Sequence, residues 1–129
     1  MPNVTIEVRR QYSPQEEEQI IAAVHAALME GIKTPAWDKT IRLVAHEPHR
    51  FAVPPGRGDR YTLVDIDLFS GRSLEAKRAL YQALVRNLGK LGIPADHVKV
   101  LLRESATENW GIWGGVPASE ADLGFKVDV

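Results

Sequence analysis

Cysteine is absent from the 129 residues. That one absence excludes disulfides, thiolate metal sites and thiol nucleophiles, and it fits a reducing compartment. An excess of charge is also missing: 16 basic and 17 acidic residues leave a formal net charge of -1. Such a balance gives no field that would gather nucleic acid or an anionic membrane surface. No apolar run opens the chain, since Glu7, Arg9 and Arg10 bring charge in early. The start therefore reads as neither a signal peptide nor a membrane span, and a cytoplasmic protein is expected. Partners should be small molecules or further copies of the same chain. The composition, 44% hydrophobic, suffices for one core and predicts a single domain over residues 1–129.

The first informative stretch is Pro2-Asn3-Val4-Thr5-Ile6-Glu7-Val8, whose apolar residues alternate and place Pro2 on the face of Val4, Ile6 and Val8. Removal of Met1 would leave a secondary amine at the start of that face. Burial among apolar side chains disfavours the charged form of an amine, so its pKa should fall towards the working pH, as a catalytic base or acid requires. The bland alternative is a proline that merely follows the initiating methionine, and proline makes up about 5% of residues anyway.

Ser13-Pro14-Gln15-Glu16 has the form of a helix start, with Ser13 as N-cap, Pro14 at the first helical position and Glu16 closing a capping box. Ile20, Val24, Ala27 and Leu28 continue an amphipathic helix that Gly31 is expected to end. A second strand is predicted over residues 40–46, where Ile41, Leu43 and Ala45 alternate with polar neighbours. The Pro- and Gly-rich stretch from His46 to Asp59 reads as a loop between halves. Tyr61 to Phe69 is a strong strand, and Gly71-Arg72-Ser73 a turn into a helix with Leu80, Leu84, Leu88 and Leu91 as its stripe and Gly92 as its end. Val98, Val100 and Leu102 mark a fourth strand. Residues 2–46 and 61–103 thus form a pseudo-repeat of strand, helix and strand, followed by a tail over 105–129. The resulting fold class is α/β (α+β): two β-α-β units in a four-stranded sheet with both helices on one face. Apolar residues on both sides of the third strand predict that other subunits cover the second face.

Pro2, the two strand-helix-strand units and Gly71-Arg72-Ser73-Leu74-Glu75-Ala76-Lys77 at the second helix start together resemble the tautomerase superfamily. Pro35-Ala36-Trp37-Asp38, His46-Glu47-Pro48-His49, Ala79-Leu80-Tyr81-Gln82 and Glu108-Asn109-Trp110 look most like its malonate semialdehyde decarboxylase branch. The resemblance implies a homotrimer, no cofactor, and a small oxo-acid substrate. It also implies Pro2 as the catalytic group, Asp38 as an assisting aspartate, and Arg72 as one of two arginines holding the substrate carboxylate. Ser70 stands where the second arginine would be. No counterpart of the water-activating glutamate of the dehalogenase branch is evident.

A carboxylate at Arg72 would also be met by the amides of Ser73 and Leu74, with Ser70 alongside. The alternative for Arg72 is an ion pair with Glu75 or a solvated side chain. Replacing Arg72 by alanine is expected to weaken substrate use and to leave stability almost unchanged. Asp38 would orient water or bond the proline ammonium, or else serve as an ordinary turn aspartate. Trp110, Ile112 and Trp113 would wall off water from the amine or pack a subunit interface. His46 and His49 have a spacing that suits a metal, yet no third ligand falls at a recognisable distance along the chain, and no metal is expected. Arg57-Gly58-Asp59 resembles an adhesion tripeptide and is read as a chance loop sequence. Function therefore reads as decarboxylation with a cationic Pro2, or keto-enol tautomerisation of 2-oxo acids with a neutral one. A non-catalytic interaction protein of the same fold is the alternative of another class.

Overall fold

The computed structural model describes residues 1–129. Strand β1 (Asn3–Arg9) leads into helix α1 (Pro14–Ile32) and strand β2 (Thr40–His46). Strand β3 (Thr62–Phe69), helix α2 (Leu74–Gly89) and strand β4 (Val98–Ser105) repeat the sequence of elements. The sheet runs β2-β1-β3-β4, with β1 parallel to β2, β3 parallel to β4, and β1 antiparallel to β3 at the junction of the two units. This is the β-α-β architecture expected from the sequence.

Alternation decides which side of each central strand meets the helices. Val4, Ile6 and Val8 of β1 and Val64, Ile66 and Leu68 of β3 are fully buried with Ile20, Val24 and Leu28 of α1 and Leu80, Leu84 and Leu88 of α2. Each such side chain contributes roughly 1.5–3 kcal/mol on burial. Both helices start where their caps place them. The Ser13 hydroxyl accepts from the Glu16 amide at 3.2 Å while the Glu16 carboxylate accepts from the Ser13 amide at 2.9 Å, and the Ser73 hydroxyl accepts from the Ala76 amide at 3.1 Å.

Both helix ends differ from the sequence expectation. Gly31 lies inside α1, and Lys33, with φ 60°, takes the left-handed capping position. A Cβ on Gly31 would sit 2.5 Å from the Leu80 Cα, so this glycine serves the close approach of α1 and α2 instead of a helix stop. Helix α2 ends at Gly89, and Gly92, with φ 90°, bends the chain that follows it.

The second sheet face is more polar than the sequence pattern suggested. Arg42 donates to the Thr5 hydroxyl at 2.9 Å, the Glu7 carboxylate pairs with His46 at 2.9 Å, and Arg103 spans Asp65 and Asp67. Exposed apolar side chains there are Val44 and Leu101, while Phe69 is covered by Trp110 with ring centroids 5.0 Å apart. No helix is long and apolar enough to cross a membrane.

The Gly31 contact gives a direct test. Gly31→Ala should lose about 1–3 kcal/mol in urea denaturation, because a backbone atom cannot rotate out of the way. Gly89→Ala, which meets nothing within 4 Å, should be neutral or slightly stabilising. Equal effects at the two positions would refute the assignment of Gly31 to helix packing.

Candidate active site

The parallel pairing of β1 with β2 starts at Asn3 and Thr40. The residues just before them, Met1-Pro2 and Asp38-Lys39, consequently share one end of the sheet. Asp38 is held there by a loop hung from the end of α1. The Thr34 amide donates to the Leu28 carbonyl at 3.3 Å, the Asp38 amide to the Pro35 carbonyl at 3.0 Å, and the His25 ring Nε2 lies 3.0 Å from the Ala36 carbonyl. A carbonyl only accepts, so His25 carries its proton on Nε2. Asp38 is 7% exposed, and its Oδ2 lies 3.2 Å from the amino nitrogen of Met1. Burial pushes that amine below its ordinary pKa of 8.0, Asp38 pulls it back up, and the Arg72 charge lowers it further.

These groups open into a cleft of about 440 Å³. Met1, Pro2, Asp38 and Lys39 line it together with Trp37, Trp110, Ile112 and Trp113. The last three come from the tail, where a short hairpin of β5 (Gly111–Ile112) and β6 (Val116–Pro117) is tied back by the Ala118 amide donating to the Trp110 carbonyl at 2.8 Å. The Trp110 ring N–H donates to the Ser105 hydroxyl at 2.8 Å. Trp113 holds φ 46° with Gly114 and Gly115 following at positive φ. A left-handed conformation is costly for a tryptophan, and such strain concentrates where function requires it.

The structure therefore brings Pro2, Asp38, Trp110 and Ile112 together in the cleft lining, with Arg72 acting on the amine and on Asp38 by its charge from outside that lining, and Ser70, Ser73 and Leu74 not lining it. Arg72, 6% exposed, is outside the cleft lining and donates from Nη1 to the Phe69 carbonyl at 2.9 Å. It is neither solvated nor paired with Glu75. Desolvation lowers its pKa, countered by Glu104 and Asp38. The Ser73 amide is not free to meet a carboxylate, since it donates to the Val129 carbonyl at 2.9 Å. Ser70 is exposed, with its amide bonded to the Ser105 carbonyl, and the Leu74 side chain is 64% exposed. Elsewhere, Arg57 and Asp59 of the tripeptide are engaged by Asp96 and Arg9. Sequence reasoning passed over Lys39 and gave Trp37 no role of its own. The available signal was their position just before β2, beside the start of β1.

Two expected outcomes follow from this geometry. Asp38→Asn removes the charge that raises the amine pKa, so nitrogen NMR titration should find the amine neutral down to a lower pH than in the wild type. An unchanged titration would show that the pair does not act on the amine. Arg72→Ala leaves the Phe69 carbonyl without its donor, so it should cost about 1 kcal/mol or more in urea denaturation. That revises the expectation of unaltered stability, and an unchanged midpoint would restore it.

Comparison with known proteins places this architecture. The family described as tautomerase enzymes matches residues 38–113, which run from the site aspartate to the last cleft tryptophan. A probable tautomerase of Ralstonia nicotianae is 38% identical over 60 residues, covering 46% of this chain and 84% of that protein. The crystal structure of FG41 malonate semialdehyde decarboxylase inhibited by 3-bromopropiolate is 26% identical, covers 89% of this chain and 92% of its own, and superposes with a TM-score of 0.80. Native fused 4-OT, 20% identical, covers 95% of this chain and 99% of its own with a TM-score of 0.84. Other fused 4-OT structures of this fold are described as trimers. With the family match extending over more than half of the sequence, the chain belongs to the tautomerase family.

Proposed function

We propose that this protein is a cofactor-independent enzyme that moves a proton on a small oxo-carboxylic acid, using the Pro2 amine exposed by removal of Met1. The observation that carries the reading is the amino terminus itself, set in an apolar cleft where burial is the largest influence on its pKa and lowers it. Pro2, which would carry the mature amine, is buried and lines the same cleft. A neutral amine takes the proton of an enol hydroxyl and returns it to the neighbouring carbon, which converts enol to ketone with no net loss of atoms or charge. Asp38 stabilises the ammonium between the two transfers. The aromatic wall excludes water that would compete for the proton.

Decarboxylation of a 3-oxo acid is the second reading, favoured by Asp38, which pairs with the Met1 amine at 3.2 Å and beside Pro2 would support a cationic amine able to polarise a carbonyl. The likeness to a malonate semialdehyde decarboxylase at 26% identity supports it as well. Assembly as a homotrimer completes the proposal. It draws support from the trimers of the fused 4-OT neighbours and from Val44 and Leu101, which remain exposed on the sheet face away from the helices.

Pro2→Ala should lower kcat/KM for 2-oxo acids by about 10²–10⁴-fold with folding unaffected. Full activity in that variant would sink the mechanism. The pH dependence of kcat/KM separates the readings: activity that rises with pH through the amine pKa identifies a base, and activity that falls through it identifies an acid.

A further inference from the structure

No side chain holds the Asp38 carboxylate in place, and its Oδ2 has the amine, 3.2 Å away, as its partner. The distance between the two groups is therefore set by the backbone that carries Asp38. That backbone is tied down at few points. At one end the pairing of β2 with β1 begins at Thr40, and at the other the Thr34 amide reaches the Leu28 carbonyl at 3.3 Å. The bond from the Asp38 amide to the Pro35 carbonyl closes the turn on itself, so it shapes the turn without fixing where the turn lies. For residues 35–38, the hydrogen bond to the body of the fold comes from the ring of His25, whose Nε2 donates to the Ala36 carbonyl at 3.0 Å.

His25 makes no other polar contact, since its Nδ1 is buried without a partner. A buried acceptor that lacks a donor costs free energy. Histidine is also a weaker helix former than leucine or methionine, either of which could fill this half-buried place on α1. The bond to Ala36 is what a histidine gains over such a residue. His25 lies in the middle of α1 (Pro14–Ile32), beside the fully buried Val24, so the donor is mounted on a packed element instead of another loop. The peptide that it grips joins Ala36 to Trp37, and Trp37 lines the cleft together with Asp38. One bond therefore orients both of these cleft residues.

We infer that His25 is a positioning residue for the acid-base pair, its Nε2–H holding the Ala36 carbonyl so that Asp38 stays at ion-pair distance from the terminal amine. The purpose of that arrangement rests on the acid-base reading of the amine given above. His25 does not line the cleft. The charges that act on the amine are those of Asp38 and Arg72, so an effect of His25 has to pass through a neighbour. Coulomb attraction weakens with distance. An Asp38 that is free to move away raises the amine pKa less, and the amine then stays neutral down to a lower pH.

The terminal amine is titrated by nitrogen NMR in wild type, His25→Phe, His25→Gln, Asp38→Asn and the double variant of His25→Phe with Asp38→Asn, with urea denaturation alongside. His25→Phe keeps the bulk of the ring and loses the donor. Its amine pKa should fall by the larger part of the drop that Asp38→Asn produces. In the Asp38→Asn background the same replacement should add nothing, because no charge is left to position. His25→Gln carries an amide N–H donor and should restore the wild-type titration. The inference is overturned if His25→Phe lowers the urea midpoint while the amine titrates as in wild type, since the bond then only stabilises the loop. It is overturned equally if the drop persists undiminished beside Asp38→Asn, or if a folded His25→Gln titrates like His25→Phe. Should His25→Phe fail to fold, His25→Met fills the place with a flexible chain and gives the same comparisons. The expected pattern in a protein that turns over no oxo acid supports the positioning of Asp38 and removes only the chemistry proposed for the amine.

Discussion

Strand β1 is the constraint on which the other elements depend. It is hydrogen-bonded on both sides, parallel to β2 and antiparallel to β3, and its Val4, Ile6 and Val8 are fully buried under the helices. A shift of one residue in either pairing would turn those side chains to the polar face and bring Glu7 and Thr5 into the core. The register is therefore fixed by burial. The same burial continues through Pro2, which borders the cleft beside the terminal amine of Met1.

Packing of the helices sets the position of the acidic partner. Gly31 lets α1 approach α2 at Leu80, and the chain leaves α1 through the left-handed Lys33 directly into the loop held by Leu28, Pro35 and His25. That loop delivers Asp38 to the amine while both are largely shielded from water. Two opposed effects then meet on one nitrogen. Desolvation favours the neutral amine and the aspartate favours the cation, so small changes around this pair shift the balance between the two forms.

The tail completes the cleft by a different kind of interaction. Trp110 covers Phe69, the residue that breaks the alternation of β3 by being buried on the polar face. This contact and the Ser105 hydrogen bond anchor a hairpin whose turn presents Trp113 in a left-handed conformation. A charged residue is buried close by, since Arg72 folds back to the end of β3. Its charge still acts on the amine and on Asp38, which makes it part of the electrostatics of the site from outside the lining.

Short-range chemistry was legible in the sequence. The capping box at Ser13, the N-cap at Ser73, the alternation of β1 and β3 and the order of the two units each depend on residues within a few positions of one another, and those interactions form wherever the chain is placed. Pro2 and Asp38 could be singled out for the same reason: one extends a readable face, and the other sits in a readable loop. The surroundings of Gly31, Arg72, Lys39 and Trp37 were decided only by tertiary structure. A glycine near a helix end reads as a stop until another backbone lies where its Cβ would be. The burial of the arginine before α2, with its Nη1 on a strand carbonyl, follows only from the fold. Lys39 and Trp37 become cleft residues because β2 pairs in register beside β1 and the tail returns across the sheet end, contacts between distant segments that local sequence pattern does not encode.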